Sequence, residues 1–202
     1  MKLYFNPGAC SLSPHIVLRE AGLPFEIEEV DLGTKKTKSG ADFLKISPNG
    51  YVPALQLDDG DVLTEGPAIL QYIADRKPEA NLMPKAGSKE RYHALELLNF
   101  ITSELHKSLG SLFNKEMPDA YRAAVKKRTF DRLAYADRKL AGKQFLMGDK
   151  FSAPDAYLFT VAGWGQYVGI DIGPLKNLGG FMQRVASRPA AQAAMKAEGL
   201  IK

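Results

Sequence analysis

The chain has 202 residues, 45% hydrophobic and 25% charged, which is typical of a protein with a buried core. No apolar run approaches the roughly 20 residues that cross a bilayer, and the first residues lack the pattern of a signal peptide. A single cysteine excludes an internal disulfide and a paired-thiolate zinc site, so we expect a reducing, cytoplasmic setting and no metal. The net charge of +4 is modest, and the basic clusters at 35–38 and 126–128 lack interleaved aromatics. We therefore expect neither a nucleic-acid nor a membrane partner.

Residues 1–78 alternate between short strand and helix patterns, which predicts an α/β domain. A right-handed crossover would join parallel strands, and a hairpin at Asp58-Asp59-Gly60-Asp61 would complete a four-stranded mixed sheet. Gly22 is suited to end the first helix, and Pro67 to begin the last. The predicted elements are a strand at 3–5, a helix at 13–21, a strand at 25–28, a short helix at 41–46, strands at 54–57 and 62–64, and a helix from 67.

The segment KPEANLMPKAG predicts a linker, which we place at residues 79–87. Over residues 88–202 the apolar positions follow a helical period, which predicts an all-α domain of about five helices. Ser152 and Asp155 stand three residues apart before one of these helices. Because a capping box explains both residues, we interpret them as structural.

The only cysteine, Cys10, lies where the first strand turns into the first helix. Free cysteines are often small buried hydrophobes, and Cys10 could be one. A position at a helix N-terminus would instead lower the pKa of the thiol, because free amides and the helix dipole favour an anion. The spacing Cys10-x-x-Ser13 matches half of a two-cysteine redox motif. Since a second thiol is missing, Cys10 would need an external one, and glutathione is the abundant intracellular choice.

Two further features indicate a peptide-like ligand. A cis bond at Val52-Pro53 could expose the Val52 backbone to an extended peptide, although a trans proline opening a strand is the alternative. Glu65 and Gly66 precede another helix, where a ligand carboxylate could accept amide hydrogen bonds and Glu65 could bind an ammonium. A plain N-terminal turn is the alternative there.

The first helix of the second domain carries a polar stripe opposite its apolar stripe. Such a face is usually solvated, but His106 shares it with other hydrogen-bonding side chains. His15 and His93 do not, and we interpret them as structural or surface residues. The polar stripe consists of Tyr92, Glu96, Asn99, Ser103, His106 and Gly110.

The order and spacing of these motifs resemble a cytosolic glutathione S-transferase, and most of all the bacterial beta class. The resemblance extends over essentially the whole chain, through NPGACSLSPHIVLREAG, NGYVPALQLDDG, LTEGPAILQYIAD, LNFITSELHK, FSAPDAYLFTV and FMQRVASRP. It implies a thioredoxin-like N-terminal domain, an α-helical C-terminal domain, a homodimer, and a glutathione site in the cleft between the domains.

The resemblance also implies a role for each candidate residue. Cys10 would lie beside the glutathione sulfur and form a mixed disulfide with it, and Lys35 would hold the glycine carboxylate. Val52, with Pro53 cis, would pair with the cysteinyl backbone. Many relatives have serine where this chain has Gly66, so we expect somewhat weaker glutathione binding. The other implied glutathione ligands are Glu65 with Gly66 at the γ-glutamyl end, Asn99, Ser103, His106 and Lys107 on the other wall, and Glu104 reaching the neighbouring subunit.

The resemblance thus implies an enzyme that transfers glutathione to a small hydrophobic electrophile, with Cys10 and His106 as catalytic residues. Thiol exchange or peroxide reduction through Cys10 would be a side activity. The hydroxyls of Tyr4 and Ser11 are rivals for stabilising the glutathione thiolate. Glutathione would be the co-substrate, and no tightly bound cofactor is expected.

Two other functions remain open at this stage. One is a glutathione-dependent dehalogenase or isomerase on the same scaffold, and the other is a non-catalytic protein that binds apolar compounds. The co-substrate pocket would decide between the enzymes. Its candidate residues are Phe113, Tyr157, Trp164 and Tyr167.

Overall fold

The structure is a computed structural model that describes all 202 residues, and it divides into two compact units. Unit 1 comprises Met1–Met83 and Arg188–Lys202, and unit 2 comprises Pro84–Ser187. The predicted division differs from this one, since it assigned the whole of 88–202 to the second domain. The helical pattern breaks at Arg188-Pro189 as it does between the other helices and then resumes, so nothing in its period reveals that the last segment packs on unit 1. None of the helices combines the length and hydropathy needed to span a membrane.

The strands and helices alternate in unit 1, whereas unit 2 is helical, as predicted. The strands are β1 (Lys2–Phe5), β2 (Glu26–Asp31), β3 (Lys36–Thr37), β4 (Ala54–Gln56) and β5 (Val62–Thr64). The helices are α1 (Leu12–Ala21), α2 (Gly66–Arg76), α3 (Lys89–Phe100), α4 (Lys107–Ser111), α5 (Asp119–Leu140), α6 (Ala153–Gly163), α7 (Gly165–Val168), α8 (Lys176–Ala186) and α9 (Pro189–Ala197). Short 3-10 turns occur at Phe43–Lys45 and Pro78–Ala80, and a π-helix occurs at Ile101–His106.

The sheet of unit 1 has five strands in the order β3-β2-β1-β4-β5. β1 and β2 are parallel, with Lys2 opposite Glu26, and the remaining pairs are antiparallel. The expected β4–β5 hairpin is confirmed. The prediction of four strands was wrong because β3 has two residues, too few to show an alternating pattern. The helix expected at 41–46 is the 3-10 turn.

Helix α1 packs against both α2 and α9 in unit 1. Its residues Ile16, Val17 and Leu18 are fully buried, and Gly22 ends it in the left-handed conformation at φ 64°. On the sheet, Tyr4, Phe43 and Val52 belong to one buried apolar cluster. The buried side chain of Val52 therefore anchors the segment that precedes β4.

In unit 2, α3 continues through the π-helix into α4 without leaving helical conformation. The amide of Lys107 donates to the carbonyl of Thr102, the five-residue spacing that defines a π turn. The predicted apolar stripe is buried, as its residues Leu98, Ile101, Leu105, Leu109 and Leu112 are at most 3% exposed. A wider turn changes which side chains share a face, and π turns frequently occur at functional sites.

Candidate functional site

The loop between β1 and α1 is closed by its own hydrogen bonds. The amide of Asn6 donates to Ser11 Oγ at 3.2 Å, and Ser11 Oγ donates to the carbonyl of Asn6 at 3.3 Å. Ser11 is fully buried, so its hydroxyl serves the loop. The Tyr4 hydroxyl donates to Gln56 Oε1 at 3.2 Å, and burial raises its pKa. Because both hydroxyls already have partners, the structure argues against Tyr4 and Ser11 as the groups that stabilise the glutathione thiolate in place of Cys10.

Cys10 is half-buried and contacts the backbone that precedes β4. Its Sγ lies 3.2 Å from the carbonyl oxygen of Val52, to which the thiol donates. The Val52–Pro53 peptide bond is cis. The Val52 amide is not among the hydrogen-bonded backbone amides of the chain. Cys10 therefore contacts a short backbone segment in which the amide of Val52 can still donate a hydrogen bond to a ligand.

The protonation state of Cys10 is opposite to the one expected from its position. Burial, with a much smaller contribution from the negative charge of Glu65, raises the pKa of the thiol to about 11. The amides of Cys10 and Ser11 do lower this pKa, as the helix-terminus argument requires, but their effect is smaller. The expectation of a lowered pKa was wrong because desolvation outweighs the helix terminus. At neutral pH, Cys10 is a thiol.

We expect the alkylation rate of Cys10 to rise about tenfold per pH unit from pH 7 to 10 without a plateau, since only the thiolate reacts. Alkylation by iodoacetamide, followed by intact-protein mass spectrometry, measures this rate at one site because the chain has one cysteine. The Cys10→Ala variant gives the background. A plateau below pH 8 would show that the helix terminus dominates after all.

Lys35 lies close to the same backbone stretch. Its Nζ donates to the carbonyl of Gly50 at 2.8 Å and lies 5.5 Å from the centroid of the Tyr51 ring. Lys35 has a φ of 56°, a conformation that non-glycine residues rarely adopt. The ammonium has three donors, and one is directed at Gly50. Lys35, Tyr51, Val52 and Cys10 thus form a continuous series of contacts.

Glu65 and Gly66 lie at the start of α2, as predicted. Glu65 is exposed and has a φ of 68°, and such outliers are concentrated at ligand and active sites. Its carbonyl accepts the amides of Ala68 and Ile69, and Pro67 has no amide hydrogen. Of the first four amides of α2, only that of Gly66 therefore lacks a partner within the helix. The effect of Glu65 on the Cys10 pKa places the two residues within electrostatic reach.

The polar stripe on α3 and the π-helix is largely exposed, but some of its groups already have partners. Asn99 Nδ2 donates to the carbonyl of Leu95 at 2.8 Å, and Ser103 Oγ donates to the carbonyl of Asn99 at 2.9 Å. Lys107 is exposed. Their predicted roles toward glutathione remain predictions. To bind glutathione, the side chains of Asn99 and Ser103 would have to give up their hydrogen bonds to carbonyls of their own helix, or share those carbonyls with the ligand.

Glu104 was expected to reach a neighbouring subunit. In this chain its Oε2 lies 2.7 Å from Arg132 Nε, an ion pair within unit 2. The side chain of Glu104 is 32% exposed. The carboxylate is thus engaged by its own chain, and the role across subunits remains a prediction that requires it to exchange Arg132 for a ligand ammonium.

His106 lies in an aromatic cluster at the end of the π-helix. Its Nδ1 is 2.6 Å from Tyr157 Oη, and its ring packs edge-on against Trp164, with centroids 5.0 Å apart. Phe113 continues the cluster against Trp164 and is 49% exposed. Burial, with a smaller contribution from the positive charge of Lys107, lowers the pKa of His106 to about 4. Since the imidazole is neutral at pH 7, it can offer a hydrogen bond to a thiolate but no positive charge.

Two of the four residues suggested for the co-substrate pocket have an exposure that does not suit this role, because one is too deeply buried and the other is too exposed. Tyr157 is 1% exposed, so it reaches His106 rather than a bound molecule. Tyr167 is 70% exposed. Phe113 and Trp164 are the members that form the aromatic cluster with His106.

Tyr51 and Glu198 were missed by the sequence analysis. Tyr51 is 71% exposed beside Lys35, and an aromatic residue directly before Val52-Pro53 was a local signal that could have found it. Glu198 is buried, and its Oε2 accepts the amide of Gly8, two residues before Cys10, at 3.0 Å. No pattern in the sequence connects two residues so far apart along the chain.

Two family models match the chain. The one described as the N-terminal domain of glutathione S-transferase matches residues 8–76, and the one described as the C-terminal domain matches residues 100–189. Glutathione S-transferase GstA of Escherichia coli O157:H7 is 44% identical over 200 residues, which cover 99% of this chain and 100% of that protein. A sphingomonad glutathione S-transferase complexed with glutathione has 49% identity and a TM-score of 0.95. The bacterial beta-class enzyme of Sphingomonas chungbukensis has 48% identity and a TM-score of 0.96, and both alignments cover 100% of each chain.

Proposed function

This chain belongs to the glutathione S-transferase family and is structurally close to its bacterial beta class, and from that premise we propose how its residues hold and use glutathione. The protein is an enzyme that conjugates glutathione, its co-substrate, to electrophilic molecules. The observation that carries the proposal is the 3.2 Å contact between Cys10 Sγ and the Val52 carbonyl. A peptide that pairs with the Val52 backbone would bring its own cysteine sulfur close to Cys10.

In this proposal glutathione extends along unit 1 from Lys35 to Gly66. Its cysteinyl unit pairs with the backbone of Val52, next to the cis Pro53, in the manner of an added strand. The glycine carboxylate meets the Lys35 ammonium, which has donors beyond the one directed at Gly50. At the other end, the γ-glutamyl carboxylate accepts the amide of Gly66, and its ammonium pairs with Glu65.

Glycine at position 66 supplies an amide but no hydroxyl. Members of the family that the sequence motifs resemble often have serine at this position. The serine hydroxyl would add one hydrogen bond to the γ-glutamyl carboxylate. Such a bond to a charged group contributes about 1.5–3 kcal/mol at most. Glutathione therefore binds through the amide of Gly66, with lower affinity than a serine would provide.

Cys10 has a different role in each of the two proposed reactions, and its raised pKa affects these roles differently. In conjugation the glutathione sulfur attacks the electrophile, and the Cys10 thiol is a weak hydrogen-bond donor to that sulfur. In thiol exchange, a Cys10 thiolate attacks the glutathione sulfur of a disulfide between glutathione and another thiol, forms a mixed disulfide with that glutathione and releases the other thiol as its thiolate. A second glutathione thiolate then attacks the mixed disulfide, which restores Cys10 and yields glutathione disulfide.

Thiol exchange is the minor activity in this proposal. A pKa of about 11 leaves roughly one Cys10 in ten thousand as thiolate at pH 7, so the first attack is slow and accelerates as the pH rises. Peroxide reduction requires the same thiolate and has the same limit. Conjugation uses the sulfur of glutathione itself and does not depend on Cys10 ionisation.

We also propose a homodimer, a small hydrophobic electrophile as second substrate, and a reducing cytoplasmic setting. A dimer is supported by exposed apolar side chains on unit 1, since Tyr51 is 71% and Leu44 is 45% exposed. The aromatic cluster of Phe113 and Trp164 supports an apolar electrophile. A single free thiol that partners with glutathione fits a reducing compartment.

Saturating glutathione is expected to protect Cys10 from alkylation, and Lys35→Met should raise the glutathione concentration needed for half-protection about tenfold. The reason is that the variant loses a charged contact to the glycine carboxylate while it retains the length of the side chain. The alkylation assay at pH 9 measures both effects, with S-methylglutathione in place of glutathione because its blocked sulfur does not consume iodoacetamide.

The matched control for this experiment is Lys36→Met, which removes an exposed positive charge from the adjacent residue. Its half-protection concentration should stay within twofold of the original. Equal shifts for the two variants would show that Lys35 acts through its positive charge alone and not through a direct contact with the glycine carboxylate. Absence of protection by glutathione would refute the proposed site on unit 1.

A further inference from the structure

Unit 2 contains a cavity that the proposed function does not use. Its volume is about 240 Å³, and it is lined by α8, by the end of α5 and by the segment that follows α5. At about 30 Å³ per molecule it would hold roughly eight waters, so its size fits a compact ligand of about eight to ten non-hydrogen atoms. Drug-sized molecules generally occupy larger pockets.

Three of the four charged side chains that line this cavity are positive, which leaves a formal net charge of +2. No ion pair of the structure includes any of the four. Elsewhere on unit 2 an exposed lysine does have a carboxylate partner, since Lys127 Nζ lies 3.0 Å from Asp131. The chain itself therefore does not neutralise the positive charge around the cavity. The four residues are Lys143, Lys176, Arg184 and Asp149.

Hydrogen bonds hold the walls of the cavity together. Arg184 Nε donates to the carbonyl of Gln144 at 3.1 Å, which joins α8 to the segment after α5. At the start of α8, the carboxylate of Asp137 on α5 accepts the amide of Leu178 at 2.9 Å and Asn177 Nδ2 at 3.0 Å. The cavity is thus formed without a ligand. The Arg184 guanidinium is half-buried and oriented by one of its five donors, so the others remain for a ligand.

Gly180 keeps space open beside this guanidinium. A Cβ added at Gly180 would lie 3.2 Å from Arg184 Nη1, so the guanidinium would have to shift. The adjacent Gly179 does not line the cavity, and a Cβ there would meet nothing within 4 Å. Glycine inside a helix costs stability relative to alanine. Gly180 therefore weakens α8 slightly and leaves room where an anion can meet Arg184.

We propose that this cavity binds a small dianion, a phosphate monoester or a dicarboxylate of about ten non-hydrogen atoms. The Arg184 guanidinium can donate two parallel hydrogen bonds to a phosphate or carboxylate group. The ammonium groups of Lys143 and Lys176 add positive charge, and Asp149 lowers the total, so a dianion matches the cavity better than a trianion. The site lies within unit 2 and does not rest on the proposed glutathione site of unit 1.

NMR titration of nitrogen-15-labelled protein tests the binding. The probes are glycerol 2-phosphate and succinate, added at constant ionic strength because salt screens contacts between exposed charges. We expect saturable shifts of the Gly142 and Gly180 amide signals, with a Kd of about 1 mM or lower. Saturation by either probe supports the dianion site, and the better probe identifies the preferred anionic group. Shifts that do not saturate with either probe, or equal shifts with uncharged glycerol, would overturn the proposal.

A pair of lysine variants tests the charge. Lys143→Met should weaken the binding of the better probe about two- to fivefold, the range of an exposed charge contact. The control is Lys150→Met, which removes an exposed charge next to Asp149 that does not line the cavity. Its Kd should stay close to the original. Equal losses in the two variants would overturn the proposal, because they would indicate general attraction by a basic surface.

A pair of glycine variants tests the shape without any change of charge. Gly180→Ala should weaken binding about two- to fivefold, since its Cβ displaces the Arg184 guanidinium from an exposed charge contact. Gly179→Ala should leave the Kd unchanged. Both variants favour the helix, so both should fold. Equal values of Kd for the two variants would overturn the proposal.

Failure of the proposed glutathione site would look different. It would abolish the protection of Cys10 and leave the titration of the cavity as it is. Conversely, Lys143→Met should conjugate glutathione at the original rate even if no dianion binds. The two proposals can thus fail separately.

Discussion

Glu198→Ala is expected to lower the free energy of unfolding of unit 1 by about 3–5 kcal/mol, since it removes a fully buried carboxylate that accepts the hydrogen of His15 Nδ1. The side chains of Glu198 and His15 are both 0% exposed, with Oε1 and Nδ1 2.8 Å apart. The substitution also removes the acceptor of the Gly8 amide. Urea unfolding, followed by the labelling of Cys10 in short pulses, reports on unit 1 because the only cysteine lies there.

The chain offers a matched control for this pair. His93 and Glu96 form the same type of contact at 3.3 Å, but each side chain is 58% exposed. Glu96→Ala should cost less than about 1 kcal/mol, as exposed pairs generally do. Glu198→Gln should show an intermediate loss, because the amide retains one oxygen for two N–H groups. Similar costs for Glu198→Ala and Glu96→Ala would contradict the importance of burial.

Asp155→Ala should be about as destabilising, but in unit 2. Asp155 is fully buried, and its carboxylate accepts Leu146 N at 2.8 Å, Ser152 N at 2.8 Å and Ser152 Oγ at 2.6 Å. Buried donors left without an acceptor cost about 1–3 kcal/mol each, so we expect a loss of about 3–5 kcal/mol. The fluorescence of Trp164, the only tryptophan, follows the unfolding of unit 2 in urea.

The control for Asp155 is an acid in the first turn of another helix. Asp119 begins α5 and is exposed, so Asp119→Ala removes the favourable interaction with the helix dipole and little else. Its cost should be below about 1 kcal/mol. Asp155→Asn should retain part of the stability, since one oxygen still accepts. If Asp119→Ala and Asp155→Ala shift the tryptophan transition equally, the carboxylate of Asp155 is not the anchor that its contacts indicate.

Features that depend on neighbours in sequence were predictable. The β4–β5 hairpin follows from the turn residues between its strands, and the end of α1 from Gly22. The capping box of Ser152 and Asp155 is also confirmed. In each case, residues a few positions apart decide the backbone conformation, and a single sequence contains all of the required information.

Features that depend on distant partners were not predictable. The pKa of Cys10 is set mainly by burial, which residues distant in sequence provide, and Glu65, more than fifty residues away, adds the smallest effect. The neighbouring amides, whose effect is intermediate, are the only local contribution. Glu104 finds Arg132 on another helix. The π-helix escapes a helical-period analysis, because that analysis assumes the 3.6-residue turn that Ile101–His106 departs from. The type and order of the predicted site residues come from sequence, and their ionisation and pairing come from the fold.

The return of the chain terminus to unit 1 has a consequence for synthesis on the ribosome. Residues 1–83 emerge first, yet the partner of His15 and of the Gly8 amide is residue 198. At 5–20 residues per second, residue 198 is synthesised roughly 6 to 23 s after residue 83, and until then the loop that carries Cys10 lacks this carboxylate. Throughout that interval the nascent first unit is incomplete, and the loop becomes fully tethered only after residue 198 has been synthesised.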